Sequence, residues 1–114
     1  MIYYTGVSML TSENYSVQYT NSVEIPPGYY IIQVFIQILD TVNTEDNGAI
    51  WVDGLPSRFE TEKRWHTGRF FNAGNYRNNY TTFIDLLNGA TLRGVFTSLN
   101  NKKANVELMA MRVG

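Results

Sequence analysis

Residues 29–39 read YYIIQVFIQIL, and the spacing of their apolar side chains decides the fold. Tyr30, Ile32, Val34, Ile36 and Ile38 recur at every second position, so in an extended chain they share one face, and that face is core. The opposite face carries Tyr29, Ile31, Gln33, Phe35, Gln37 and Leu39, large apolar groups alternating with uncharged amides. Such a surface is too apolar for free solvent and too polar for a sealed interior. It has the composition of a subunit interface with buried hydrogen bonds. The second layer of a monomeric sandwich is the alternative reading.

Immediately upstream, Pro26-Pro27-Gly28 stops any hydrogen-bond ladder, with two missing N–H groups and one permissive glycine. Before it, residues 2–8 and 15–25 read as two strands. After the central segment, residues 40–48 (DTVNTEDNG) form a polar loop rich in turn formers. Residues 49–52 then run as a strand into Asp53-Gly54, a dipeptide suited to a tight hairpin, and a short strand is expected near residues 56–60. Tyr80, Thr82, Ile84 and Leu86 alternate with Thr81, Phe83 and Asp85, and this strand ends at Asn88-Gly89. Leu92, Gly94, Phe96 and Ser98 oppose Arg93, Val95 and Thr97, with Gly94 marking a bulge or a close approach. Residues 100–103 (NNKK) read as a turn. In the last strand Val106, Leu108 and Ala110 face one way while Glu107, Met109 and Met111 face the other. Short, regularly spaced strands with no helical period predict an all-β fold, an antiparallel two-sheet jelly-roll sandwich.

Composition bounds the rest. With 114 residues, 44% hydrophobic and 17% charged, the chain is expected to fold as one domain over residues 1–114. Nine Lys and Arg against ten Asp and Glu leave a net charge of −1, which gives no electrostatic footprint for nucleic acid. There is no cysteine, so disulfides and thiolate chemistry are excluded. The start of the chain has no signal-peptide pattern and no apolar run is long enough to span a bilayer as a helix, so membrane insertion is not expected.

The order of motifs carries a family resemblance. The run VEIPPGYYIIQV resembles the "P-x-x-G-x-Y" strand of the tumour-necrosis-factor-like jelly rolls and complement globular heads, a group with bacterial spore and phage relatives. Gly28 and Tyr30 stand at its glycine and tyrosine, whereas Ile32 replaces the usual second aromatic. AIWVDGLP is similar to the family's apolar strand followed by an Asn/Asp-Gly turn. LLNGATLRGVF is similar to its "L-x-x-G-D-x-V" strand, with Ala90 in place of the acidic residue. The resemblance extends from Val23 onward and implies a compact homotrimer. The last strand, ELMAMRVG, lacks the aromatic ending of the complement heads and places the chain nearer the microbial and bacteriophage members. Tyr29, Ile31, Gln33, Phe35, Gln37, Met109 and Met111 are then the expected trimer interface.

Three groups of side chains are candidates for chemistry. His66 is the only histidine, and no nucleophile and base set or paired carboxylates in an apolar pocket are visible, so no enzyme activity is expected. No phosphate cradle is present and no cofactor is expected. Asp40, Glu45 and Asp46 offer hard oxygen ligands for calcium but lack the spacing of an EF-hand, so a solvated loop is the plainer reading and no metal is expected. Residues 58–80 interleave aromatics with Arg and Asn, and from this stretch Trp65, Arg69, Phe71, Tyr76 and Arg77 are the candidate ligand contacts. Aromatic faces pack on sugar C–H surfaces while guanidinium and amide groups take up hydroxyls, and the same residue types also suit subunit contacts.

The expected function is a trimeric receptor-binding tip of a phage fibre, spike or head appendage that recognises a bacterial surface glycan or protein, located on a virion surface or outside the cell. A structural trimerisation or decoration module and a monomeric carbohydrate-binding module are the alternatives.

Overall fold

The computed structural model describes residues 1–43, 45–53, 64–69 and 77–114, with the backbone alone for 64–69, 77–80 and 82. Ten strands follow in chain order: β1 (Ile2–Tyr4), β2 (Ser8–Ser12), β3 (Gln18–Tyr19), β4 (Val23–Ile25), β5 (Gly28–Ile38), β6 (Asn47–Asp53), β7 (Arg64–Arg69), β8 (Arg77–Leu86), β9 (Ala90–Thr97) and β10 (Lys102–Arg112). They form two antiparallel sheets. In the first, β1 and β2 both pair with β10, followed by β5 and β8; in the second, β3 and β4 both pair with β9, followed by β6 and β7. Chain-order neighbours β2 and β3, β4 and β5, and β5 and β6 lie in different sheets, as do β7 and β8, β8 and β9, and β9 and β10. That interleaving, with the first two strands beside the last in one sheet and the next two beside the penultimate in the other, matches the jelly-roll order.

The alternation in β5 builds the core. Tyr30, Ile32, Val34, Ile36 and Ile38 are all buried, and each contributes about 1.5–3 kcal/mol of apolar burial. They meet Ala104, Val106, Leu108 and Ala110 of β10 and, from the second sheet, Ile50, Val52, Leu92 and Phe96. Gly94 is the close approach its position suggested, because a Cβ there would lie 3.0 Å from Val106 Cγ1, 3.2 Å from Thr20 Cγ2 and 3.3 Å from Val34 Cγ2. Gly89, at φ +73°, closes the turn after β8 with its N–H on the Leu86 carbonyl.

Both predicted early strands are broken, and for the same reason. At Thr5 the side-chain hydroxyl accepts the Leu108 N–H (3.1 Å) and donates to the Gly6 carbonyl (2.8 Å), so the ladder on β10 is interrupted between β1 and β2. At Thr20 the hydroxyl accepts the Gly94 N–H (2.9 Å) and donates to the Asn21 carbonyl (2.8 Å), interrupting the ladder on β9 between β3 and β4. Both threonines are buried, and their hydroxyls stand in for a main-chain acceptor. Within 15–25 the strand pairing is further shortened, because Asn14 and Tyr15 turn the chain with φ of 52° and 59°.

Residues 100–103 are also not wholly a turn. Lys102 opens β10, pairs with Ser12 and is buried. The strand expected near 56–60 and the Asp53-Gly54 turn lie outside the described residues beyond Asp53, where β6 ends.

Candidate functional site

The first sheet has one face in the core and one turned outward. Register alone assembles the outward face: Ile2, Met111, Ile31 and Phe83 lie side by side across β1, β10, β5 and β8. Tyr4, Met109, Gln33 and Thr81 form the next row, and Met9, Asn105 and Gln37 a further one. The seven expected interface residues therefore share a single surface. In the isolated chain they are neither buried nor bare: Ile31, Gln33, Phe35, Gln37 and Met109 are half-exposed, while Tyr29 and Met111 are 40% and 41% exposed. The second layer of a one-chain sandwich does not account for them, because the second sheet packs on the opposite side.

Neighbouring side chains enlarge this face. Phe83 is 60% exposed and stacks on Tyr29 with ring centroids 6.1 Å apart, while Ile2, Tyr4 and Met9 are exposed on the same face across β10. Two polar members are paired: Gln33 Nε2 donates to Thr81 Oγ1 (3.0 Å), and the Tyr4 hydroxyl donates to Glu107 Oε2 (2.7 Å). Phe83 is legible from the alternation over 80–86, opposite the inward set. Ile2, Tyr4 and Met9 are not, because their place depends on pairing with a strand about a hundred residues away.

The two ends of the sandwich differ. Met1 and Gly114 lie together at one end, where the Arg112 N–H donates to the Met1 carbonyl and the Tyr29 N–H to the Gly114 carbonyl. At the opposite end lie the loop residues 13–17, 39–43, 45–46 and 98–101. There β7 finishes at Arg69, opposite Asn47, and β8 begins at Arg77, opposite Gln37.

A buried polar network ties that loop end together. Asp46 is fully buried: its Oδ1 accepts the Ser98 hydroxyl (2.7 Å), and its Oδ2 accepts the Lys102 ammonium (2.8 Å) and the Asn43 N–H (2.8 Å). Lys102 Nζ donates also to the Thr41 carbonyl (2.7 Å). Ser98 passes the network on, its N–H donating to Ser12 Oγ (2.9 Å), whose hydroxyl reaches the Ser16 carbonyl (2.7 Å). At the surface, Glu45 Oε1 accepts the side-chain amides of Asn43 (2.9 Å) and Asn100. The bond from Asn43 is the main cause holding the Glu45 carboxyl below its usual range.

This arrangement keeps the three oxygen ligands considered for calcium apart. Asp40, Glu45 and Asp46 do not converge: Asp40 Oδ1 caps the Thr41 N–H at the surface, Glu45 holds amides, and Asp46 is already compensated by the protein's own ammonium. Among the described residues no group of three or more His, Cys, Asp or Glu could hold a metal ion.

Of the candidate ligand contacts, Phe71 and Tyr76 lie outside the described residues. The backbone of Trp65 pairs with Ile50 near the start of β7, while Arg69 and Arg77 lie at the loop end.

No protein-family model matches the chain, and no curated protein does. A solved structure does. The whole chain superposes on 32% of a chain in the structure of infectious bursal disease virus Gx strain, with a TM-score of 0.50 and 10% identity. At that identity the likeness is one of fold, and this chain spans about a third of the length of its counterpart. The shared architecture is the two-sheet sandwich.

Proposed function

We propose that the chain is a self-assembling module of a virion surface, in which three copies pack through the outward face of the first sheet and present the loop end as a receptor-binding tip. The observation that carries this reading is the apolar surface gathered on that face. Ile2, Tyr4, Met9, Tyr29, Phe83 and Met111, each between 40% and 61% exposed, lie on one sheet face around half-exposed Ile31, Phe35 and Met109. Monomeric proteins rarely leave so much contiguous apolar surface in water, and the paired Gln33 and Tyr4 polar groups are compatible with being covered.

The face is graded along the strands. The row of Ile2, Met111, Ile31 and Phe83 lies toward the chain termini, while Lys103, Asn105 and Gln37, with Met9 beside them, lie toward the loop end. Copies packed on this face close most tightly where the termini emerge, so any flanking chain joins there and the loop end points away. The network around Asp46 and Lys102 holds that end in one shape, which suits a surface meant to be recognised. Arg69 and Arg77 flank it, and with Trp65, Phe71 and Tyr76 they remain the proposed contacts to a bacterial surface glycan or protein.

Two further points support the reading. The resemblance to tumour-necrosis-factor-like and complement-head jelly rolls implies a homotrimer, and the likeness in fold to a chain of a virus structure supports a virion setting. Three sites on one axis would multiply a modest single-site affinity through effective concentration. Sedimentation velocity of the wild type against Phe83→Asp is the test. The wild type is expected to sediment as a trimer and the variant as a folded monomer. A wild-type monomer at micromolar concentration, or a variant that still assembles, would overturn the proposal.

A further inference from the structure

We propose that the outward face of the second sheet carries a binding site for a neutral pyranose ring, built on Tyr19, Trp51, Asp53 and Arg93. The inference rests on the receptor-binding reading above but places a contact away from the loop end. These four side chains come from three strands, β3, β6 and β9, and orient one another in a closed ring of contacts. Tyr19 and Trp51 meet edge to face, with centroids 5.8 Å apart and planes at 78°. Trp51 Nε1 donates to Asp53 Oδ1 (3.2 Å). Arg93 lies with its Cζ 5.3 Å from the Tyr19 ring centroid and its Nη2 3.8 Å from Asp53 Oδ2.

Three features of this ring suit a sugar. The perpendicular aromatic planes make a corner, and both rings are only partly covered, Tyr19 being 37% exposed, so apolar ring surface is available for the C–H face of a pyranose. Second, the Arg93 to Asp53 separation of 3.8 Å is longer than a hydrogen bond, and a hydroxyl seated beside the pair would accept from the guanidinium and donate to the carboxylate. Arg93 Nε is buried without a hydrogen-bond partner, so that guanidinium is positioned by the Tyr19 ring and by Asp53. Third, Asp53 continues the surface into an open cleft of about 320 Å³, lined also by Glu24, Pro27, Asn88 and Thr91, which adds hydroxyl-binding groups beside the aromatic corner.

Charge selects the class of sugar. Among the described side chains, the guanidinium of Arg93 stands against two carboxylates, Asp53 and Glu24, so an acidic sugar would meet net negative charge from them. A neutral hexose meets no such repulsion, and can use both members of the pair.

The test is binding of the full chain to immobilised oligosaccharides of glucose, galactose and mannose, with polygalacturonate as the acidic comparison. It is run on the wild type, Trp51→Ala and Tyr19→Ala, with sedimentation velocity on each sample. Binding to a neutral oligosaccharide that falls at least tenfold in both variants, with sedimentation unchanged, is the expected result. Tyr19 lies at a sheet edge and is partly exposed, so Tyr19→Ala decides alone if Trp51→Ala does not fold. Undiminished binding in Tyr19→Ala, preference for polygalacturonate, or no binding to any of the sugars overturns this site. A wild type that is trimeric but binds no sugar removes the site and leaves the assembly reading standing; a monomer that binds through Tyr19 does the reverse.

Discussion

Replacing Lys102 with methionine removes one charge from the interior and leaves Asp46 with no cation. The methionine keeps most of the buried stem, so the change isolates the ammonium. Asp46 is fully buried and would retain the Ser98 hydroxyl and the Asn43 N–H, neither of which neutralises a carboxylate. Breaking a buried pair from one side costs about 3–5 kcal/mol. With an unfolding entropy near 2.1 cal/mol/K per residue, that loss lowers the melting temperature of a chain this size by about 12–20 °C. The double variant Lys102→Met, Asp46→Asn is expected to recover about 2 kcal/mol or more, since an asparagine amide can accept from the Asn43 N–H and donate to Ser98 Oγ with no charge left buried. Urea unfolding followed by tryptophan fluorescence, at one protein concentration throughout because association shifts apparent stability, measures all three proteins. A single variant that loses under about 1 kcal/mol, or a double variant no more stable than the single, would refute the reasoning.

Other outcomes follow from the same geometry. Thr20→Val leaves the buried Gly94 N–H without its acceptor and is expected to cost about 1–3 kcal/mol in the same urea assay. Gly94→Ala forces a Cβ to within 3.0 Å of Val106 Cγ1, and overpacking of this kind costs about 1–3 kcal/mol, read as a lower urea midpoint with an unchanged slope. The Glu45 carboxyl is held below its ordinary value of 4.5, chiefly by Asn43, so that bond contributes fully above that pH and is lost as pH falls through the lower folded value. NMR titration of Glu45 is expected to show its midpoint moving up in Asn43→Ala, and an unmoved midpoint would remove the assigned cause.

The period-two pattern of residues 29–39 is enough to place the core side of β5 and to separate it from the surface side, because side-chain alternation is a local property of an extended chain. The same holds for β10 and for Phe83 on β8. What the sequence does not disclose are features in which a side chain acts on a distant strand. Thr5 and Thr20 break their strands by taking N–H groups of Leu108 and Gly94, and nothing near either threonine indicates this. Lys102 reads as a turn residue because its partner, Asp46, is 56 positions away. The oxygen-rich loop over 40–48 reads as a place for a cation, and it does hold one, supplied by the chain itself. The Tyr19, Trp51 and Arg93 cluster likewise joins three strands and has no local signature.

The central claim is that sister copies cover the outward face of the first sheet, and the absence of cysteine allows a direct measurement. A single Gln33→Cys variant places one thiol in the middle row of that face, between Met109 and Thr81. Its alkylation rate is to be followed from nanomolar to tens of micromolar protein, with Asn100→Cys at the loop end as the exposed control. The expected result is a rate at position 33 that falls at least tenfold as concentration rises, while the control stays constant. A thiol there that reacts equally fast across that range would mean that no other copy covers this face.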